Sequence, residues 1–379
     1  MQRLIREFQL YYRERARMIF APEVEKREFM FMGFDDVVRR YMSFRSLDSL
    51  RSYMADTVPR HAYYSVGLYR RPEMRKMEQR GLEGAEVLFD IDATGLEGCS
   101  YDLYFCENCS YEQNYEMERC PSCGSDKIKR MDWIDEKCIE AARAEVKKLL
   151  KILREDFGLK DDDILVSYTG NRGFHVRILA RDFLKLGKEE RAEIAGYIGA
   201  KGFDYEVFSS SGGYKFPKPD EGGWRGRFSR ALISVLRENG MEEIARDIEE
   251  GRPVERSFMR KRKWLMERAL SRMKEEAASI DEAVTFDIQR LTRVPNSLHG
   301  KTGLRAMTLT YEELDEFNPF VDAIGLSANH MKVRILRRVP KFSVNGLVFG
   351  PYKRDEVVEL PAYAAALIVL RERGKIEVY

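Results

Sequence analysis

Asp90 and Asp92 lie two residues apart in the apolar run Val87-Leu88-Phe89-Asp90-Ile91-Asp92-Ala93. Alternation along a strand turns both carboxylates to one face, with Phe89 and Ile91 packed behind them. Two anions at that separation repel each other and call for a cation. Mg²⁺ or Mn²⁺ held by hard oxygen ligands would satisfy them and would suit phosphoryl or nucleotidyl transfer. A strand end with Asp90 capping a turn and Asp92 solvated is the plain alternative.

A second chemistry is written in cysteine. Cys106 and Cys109 form one Cys-x-x-Cys pair, Cys120 and Cys123 another, and ten residues separate them. That is the spacing of a four-thiolate Zn²⁺ site, and with all four positions filled by protein the site is structural rather than catalytic. Iron is the chemical rival. The segment has few apolar residues, so metal binding would contribute its folding energy directly. Cys99 and Cys138 fall outside the spacing and read as ordinary small buried residues.

Phosphate chemistry has two further candidates. Thr169-Gly170-Asn171-Arg172-Gly173-Phe174-His175 gathers a hydroxyl, an amide, a guanidinium and an imidazole around two glycines that permit close backbone approach. It lacks the Lys-Ser or Lys-Thr of a Walker loop, and a decorative hairpin is its plain reading. Downstream, Asp281 and Asp287 precede Arg290-Leu291-Thr292-Arg293 and Asn296-Ser297-Leu298-His299-Gly300-Lys301-Thr302-Gly303. A two-metal site would draw a third acid from here and set the bases on a triphosphate. A capped helix followed by a solvated loop is the alternative.

Elements must hold these groups in place. Residues 1 to 80 read as mostly helical with aromatic interruptions at Tyr11, Tyr12, Tyr63 and Tyr64, and a strand spans 87 to 92. Three and four spacing makes an amphipathic helix of 139 to 157. Ile164-Leu165-Val166 and the run 174 to 179 read as strands around the glycine turn. Charged helices fill 189 to 280, interrupted by a loop or partly mobile stretch at 208 to 228. Short strands, including 332 to 336, and an Ala-rich helix at 361 to 372 follow.

The chain has 379 residues, enough for two or three domains. Its 65 Lys and Arg against 63 Asp and Glu leave a charge of only +2, so attraction to a polyanion must come from local clusters. No run has the length and apolarity of a membrane span, and the charged start is unlike a secretory signal. These features point to an intracellular protein, in the cytoplasm or nucleoid.

Together these motifs resemble the small, catalytic subunit of archaeal and eukaryotic DNA primase, most closely its archaeal branch. The resemblance spans about 35 to 303, including Asp35-Asp36-Val37-Val38-Arg39-Arg40-Tyr41-Met42-Ser43-Phe44. It implies that Asp90, Asp92 and Asp281 are catalytic ligands of Mg²⁺ or Mn²⁺, with Asp287 a near neighbour of the third. It implies nucleotide-binding roles for Arg40, Thr169, Arg172, His175, Arg293 and His299. Thr169 keeps a hydroxyl where the family often has Ser, whereas Asn171 stands where some members have Arg.

The implied fold is a compact mixed α/β (α+β) primase-type core, distinct from the palm of most replicative polymerases. Residues 1–98, 131–185 and 281–379 would form that core, 99–130 a surface zinc knuckle, and 186–280 a mainly helical inserted domain. The implied activity is template-directed synthesis of short RNA or DNA primers from nucleoside triphosphates on single-stranded DNA. A large subunit carrying an iron–sulfur cluster would complete a heterodimer. The rivals are a primase-like repair polymerase and a non-catalytic zinc-containing nucleic-acid-binding module.

Overall fold

Alternating large apolar residues form the strand Phe29–Met32, which turns Phe29 and Phe31 into the core. The computed structural model describes every residue except 98, 100, 101, 110, 114, 378 and 379, and for 102, 103, 131 and 132 the backbone alone. Phe29–Met32 pairs antiparallel with Val38–Met42 on one side and His61–Ser65 on the other, and Leu291–Arg293 extends the sheet beyond His61–Ser65. The first 80 residues are therefore not mostly helical. Helices Gln2–Glu14 and Leu47–Thr57 flank a sheet, and Tyr63 and Tyr64 belong to it. Tyr64 stacks on Phe29 at 6.1 Å, since aromatic side chains pack well across a pleated surface.

A second antiparallel sheet carries the aspartates. Its order is Met307–Leu309, Ile164–Tyr168, Gly173–Ile178, Val87–Asp92. The register sets Gly173 opposite Asp92 and His175 opposite Asp90. Helix Glu136–Glu155 covers this sheet through Ile139, Ala142, Val146, Leu149, Leu150 and Leu153, each fully buried side chain contributing roughly 1.5–3 kcal/mol, alanine less. Asp135 caps the helix by accepting the Cys138 N–H at 2.8 Å.

Charge locks the two sheets together. The buried Glu86 carboxylate, just before the aspartate strand, accepts from Arg27 and from Arg177, the latter at 2.7 Å. Both guanidiniums also lie over the Tyr64 ring, at 5.5 and 5.1 Å. Arg191 donates to the main-chain carbonyls of Ala85 and Glu86 at 2.5 and 2.9 Å, satisfying backbone groups that the sheet leaves open. Removing one member of such a buried set costs about 3–5 kcal/mol.

Beyond the sheets, Lys188–Ile198, Gly223–Glu238, Glu242–Glu249 and Lys263–Lys274 are helices. The stretch expected to be loop or mobile at 208 to 228 carries a short hairpin and, from Gly223, the start of a helix, with loop as expected over 215–222. Phe208 and Phe216 each pack on Phe228 at 6.1 Å, and this aromatic contact orders it. Near the C-terminus His330–Ile335 pairs with Val357–Pro361 and Gly374–Ile376 around the buried helix Ala362–Val369.

The cysteine pairs accompany a three-stranded sheet of Glu112–Gln113, Asp102–Cys106 and Ile128–Asp132. Of the 99 to 130 segment, residues 100, 101, 110 and 114 lie outside the described residues, as do 98, 378 and 379 of the expected core. Cys99 and Cys138 are not isolated thiols: they form a disulfide across 39 positions, with Cα atoms 4.3 Å apart. No spacing rule pairs cysteines so far apart, because the fold alone brings them together.

Candidate active site

The aspartate strand leaves Asp90 three-quarters covered and Asp92 half exposed, while Val87, Leu88, Phe89 and Ile91 are buried. Asp281 joins them through the main chain, its N–H donating to the Asp90 carbonyl at 2.9 Å. It also caps the short helix Glu282–Thr285 by accepting the Ala283 N–H at 3.0 Å. Burial first, and then the Asp92 and Asp281 carboxylates, push Asp90 up to about 6, against the pull of Arg290. Asp287 turns its carboxylate to its own loop, where it accepts the Gln289 N–H at 2.9 Å.

Gly173 brings the glycine turn against this strand. A Cβ there would collide with the Ile91 carbonyl and stand 3.1 Å from the Asp92 Cα, so the site needs glycine. The approach lets Arg172 donate from Nε to Asp92 Oδ1 at 3.0 Å, alongside the Thr94 N–H at 2.8 Å. Thr169 closes the turn, its N–H and hydroxyl both donating to the Gly173 carbonyl at 3.0 Å. His175 sits deeper, with Nε2 3.5 Å from Asp90 Oδ1 and Nδ1 2.8 Å from the Thr292 hydroxyl. Burial, then Arg177 and Arg293, hold this imidazole down to about 3, so it is neutral in ordinary buffers.

The third segment wraps behind the turn. A Cβ on Gly170 would meet the His299 Cβ at 2.8 Å, and the Thr302 hydroxyl donates to the Gly170 carbonyl at 2.5 Å. His299 is buried, and its Nδ1 accepts the Lys301 N–H at 3.1 Å, which leaves the proton on Nε2. Burial, then Arg293 and His61, keep it neutral. Arg293 donates from Nη2 to the Tyr63 hydroxyl at 2.8 Å and contacts His61 Nδ1 at 3.1 Å, while its Nη1 is buried with no hydrogen-bond partner among the described residues.

Asp90, Asp92, Asp281, Thr169, Arg172 and His175 thus meet at one end of the second sheet, with Arg293 and His299 in the adjoining layer. Arg40 is held apart from them by Glu28, at 2.9 Å, and lies over the Tyr41 ring. His61, Tyr63 and Thr292 escaped sequence reasoning because strand pairing alone carries them inward. Lys301 carried a usable signal, its place in the Gly-Lys-Thr loop.

Cys106, Cys109, Cys120 and Cys123 bring their sulfurs within 4.8 Å of one another, the one group among the described residues that meets this span for three or more metal-ligating side chains. The Asn108 amide, 3.5 Å from Cys123 Sγ, is the first of the groups that hold that thiol down to about 6. A thiolate tetrad of this kind fits a soft or borderline divalent metal.

The sequence profile of the DNA primase small subunit family matches residues 125–311. That span takes in the glycine turn, Asp281, Arg293 and His299. The chain is 33% identical to the DNA primase small subunit PriS of Cenarchaeum symbiosum, over 97% of this chain and 96% of the relative. The chain belongs to the DNA primase small subunit family. The homologues from Methanococcoides burtonii, at 30%, and Pyrobaculum aerophilum, at 32%, are covered over 95% and 97% of their lengths, with 96% and 97% of this chain. Family membership supports nucleotidyl transfer of the primase type as the general activity. Among the described residues no helix is long and apolar enough to cross a membrane.

Proposed function

We propose that this chain is a primase catalytic subunit that joins nucleotides on a single-stranded DNA template. The observation that carries the reading is the convergence of Asp90, Asp92 and Asp281 beside Arg172, on a strand whose register also fixes His175. Burial, and after it the neighbouring Asp92 and Asp281 carboxylates, raise Asp90, and a bound divalent cation would offset both, so these acids would suit Mg²⁺ or Mn²⁺. Such ions supply charge neutralisation at the α-phosphate and a more acidic 3′-hydroxyl.

The remaining work falls to side chains. Arg172 would exchange Asp92 for a phosphate oxygen of the incoming triphosphate, offering its donor fork. His299, neutral with Nε2–H, would donate to an oxygen without adding charge, and the buried Nη1 of Arg293, without a partner among the described residues, would supply a fixed donor. His175 would orient Asp90 from behind. Thr169 would shape the turn, and Arg40, tied to Glu28, would join only by leaving that carboxylate. No side chain is needed as general base.

The four thiolates would hold a structural Zn²⁺. Residues 1–98, 131–185 and 281–379 would act as the catalytic core, 99–130 as a zinc knuckle and 186–280 as a helical inserted domain. A large subunit would complete a heterodimer. Single Asp90→Ala, Asp92→Ala and Asp281→Ala variants test the reading. Each should lose nucleotide incorporation while keeping its circular dichroism and its affinity for single-stranded DNA. Retained incorporation in folded Asp90→Ala and Asp92→Ala together would reject it, and the loss of activity in Asp287→Ala rather than Asp281→Ala would move the third ligand.

A further inference from the structure

The two cysteines outside the thiolate tetrad, Cys99 and Cys138, are joined to each other, and the bridge falls at a particular place in the chain. Residues 99–138 hold Cys106, Cys109, Cys120 and Cys123 together with all three strands of their sheet. The disulfide therefore closes the whole cysteine module into one covalent loop, at its base.

The two limbs that join this loop to the core are unequally anchored. The returning limb is buried at Trp133 and Ile134, and Trp133 packs edge-on against Phe342 at 5.4 Å. It runs on into helix Glu136–Glu155, where Cys138 is fully buried in the core. The outgoing limb leaves the strand Val87–Asp92 and is exposed at Thr94, Gly95 and Glu97. Among the described residues from 94 to 99, only Leu96 and Cys99 pack against the core, and both are half-buried. The bridge ties the weakly held limb to the strongly held one.

We propose that Cys99 and Cys138 are a thiol–disulfide exchange site, whose oxidised form clamps the cysteine module onto the sheet that carries Asp90 and Asp92. The external reactant is a small thiol and its disulfide. Cys99 is the more accessible sulfur, so its thiolate attacks the external disulfide, forming a mixed disulfide and releasing one external thiolate. Cys138, as thiolate, then attacks Cys99 Sγ and expels the second. Two electrons pass from the protein cysteines to the external disulfide, and the two protons that the cysteines lose end on the released thiolates. Reduction runs the same steps backwards, with Cys138 as the leaving thiolate. Neither sulfur belongs to the tetrad, so opening the bridge frees the outgoing limb and leaves the metal ligands in place.

The test uses the full chain in reduced glutathione or glutathione disulfide. After treatment, the protein is denatured in chelator and its free thiols are alkylated and counted by mass. Of the six cysteines, four should react after the disulfide and all six after the thiol. Cys138→Ala should trap a mixed disulfide on Cys99, whereas Cys99→Ala should carry none on the buried Cys138. Closing so long a loop removes chain entropy from the unfolded state, so reduction should lower the wild-type melting temperature by about 3–6 °C. It should also speed protease cleavage within 99–138 about tenfold. Cys99→Ala should melt and cleave like reduced wild type in both buffers.

Six reactive cysteines after glutathione disulfide overturn the proposal. So does a bridge whose reduction moves neither melting nor cleavage, since it would then clamp nothing, and so does a mixed disulfide on Cys138 in Cys99→Ala as abundant as that on Cys99 in Cys138→Ala. None of these measurements depends on nucleotide chemistry, so failure of the catalytic reading leaves the result intact.

Discussion

Replacing Asp90 with Asn should make the protein more stable and nearly inactive at once. The magnitude follows from the carboxyl's environment, which raises it from 3.8 to about 6. A raised carboxyl means that the native state binds its proton more tightly than the unfolded chain does. The resulting penalty is absent below the unfolded value, grows between the two and is complete above the folded one. At roughly 1.4 kcal/mol per unit the penalty at pH 8 is about 3 kcal/mol. An amide still loses hydration on burial, so the gain from Asp90→Asn is smaller, about 1–2 kcal/mol.

Thermal melts at pH 8 in buffer stripped of divalent ions, with protein-bound zinc retained, read the difference directly. Asp90→Asn should melt above wild type. Adding Mn²⁺ should raise the wild type by mass action and leave the variant nearly unmoved, inverting the order. Incorporation by the variant should fall by about a thousandfold or more. A variant that melts lower without metal, or that gains as much from Mn²⁺ as wild type does, refutes the reasoning that a buried carboxylate crowded by its acidic neighbours defines the site.

Elemental analysis of freshly purified, reduced protein should find one zinc per chain, and Cys106→Ser or Cys120→Ser should lose it and melt earlier; absence of stoichiometric metal rejects the thiolate site. Arg172→Ala and Arg293→Ala should raise KM for nucleoside triphosphates more than they lower kcat, with Arg172→Lys a partial rescue, and equal effects on triphosphate and monophosphate binding would contradict phosphate contact. Acid should destabilise the fold through His61, held to about 3 by burial and then by Arg293, Arg60 and Lys301. Between its unfolded value of 6.5 and about 3 the unfolded chain binds a proton that the native state refuses, so stability falls with pH across that window by up to about 1.4 kcal/mol per unit. His61→Asn should flatten the fall, and an unchanged slope in melting temperature against pH would refute it.

Where chemistry is compressed into a few neighbouring residues, the sequence is readable. The run 87 to 92 forms a strand with those bounds, and the cysteine spacing foretells four sulfurs within one span. The glycine turn also follows, since Gly170 at φ 85° and Gly173 against the Ile91 carbonyl are sites where a side chain does not fit. What stayed hidden depends on long-range pairing. His61 and Tyr63 reach Arg293 because His61–Ser65 pairs with Leu291–Arg293, more than two hundred residues away, and Arg371 reaches Asn171 across two hundred positions. The aromatic pair Tyr63 and Tyr64 misled because periodicity in short segments does not separate a broken helix from a strand. The Cys99 to Cys138 bridge was hidden for the same reason, as neither cysteine has a partner at a telling distance in the chain.

The central claim, that this chain begins and extends primers, is tested most directly by synthesis on unprimed single-stranded DNA. Wild-type protein, alone and with a large-subunit partner, is supplied separately with ribonucleoside and deoxyribonucleoside triphosphates, with Asp90→Asn as control. The account predicts short products from at least one nucleotide set, dependent on Mg²⁺ or Mn²⁺ and absent with Asp90→Asn. Extension of a supplied primer with no product on the unprimed strand, under all these conditions, would contradict it.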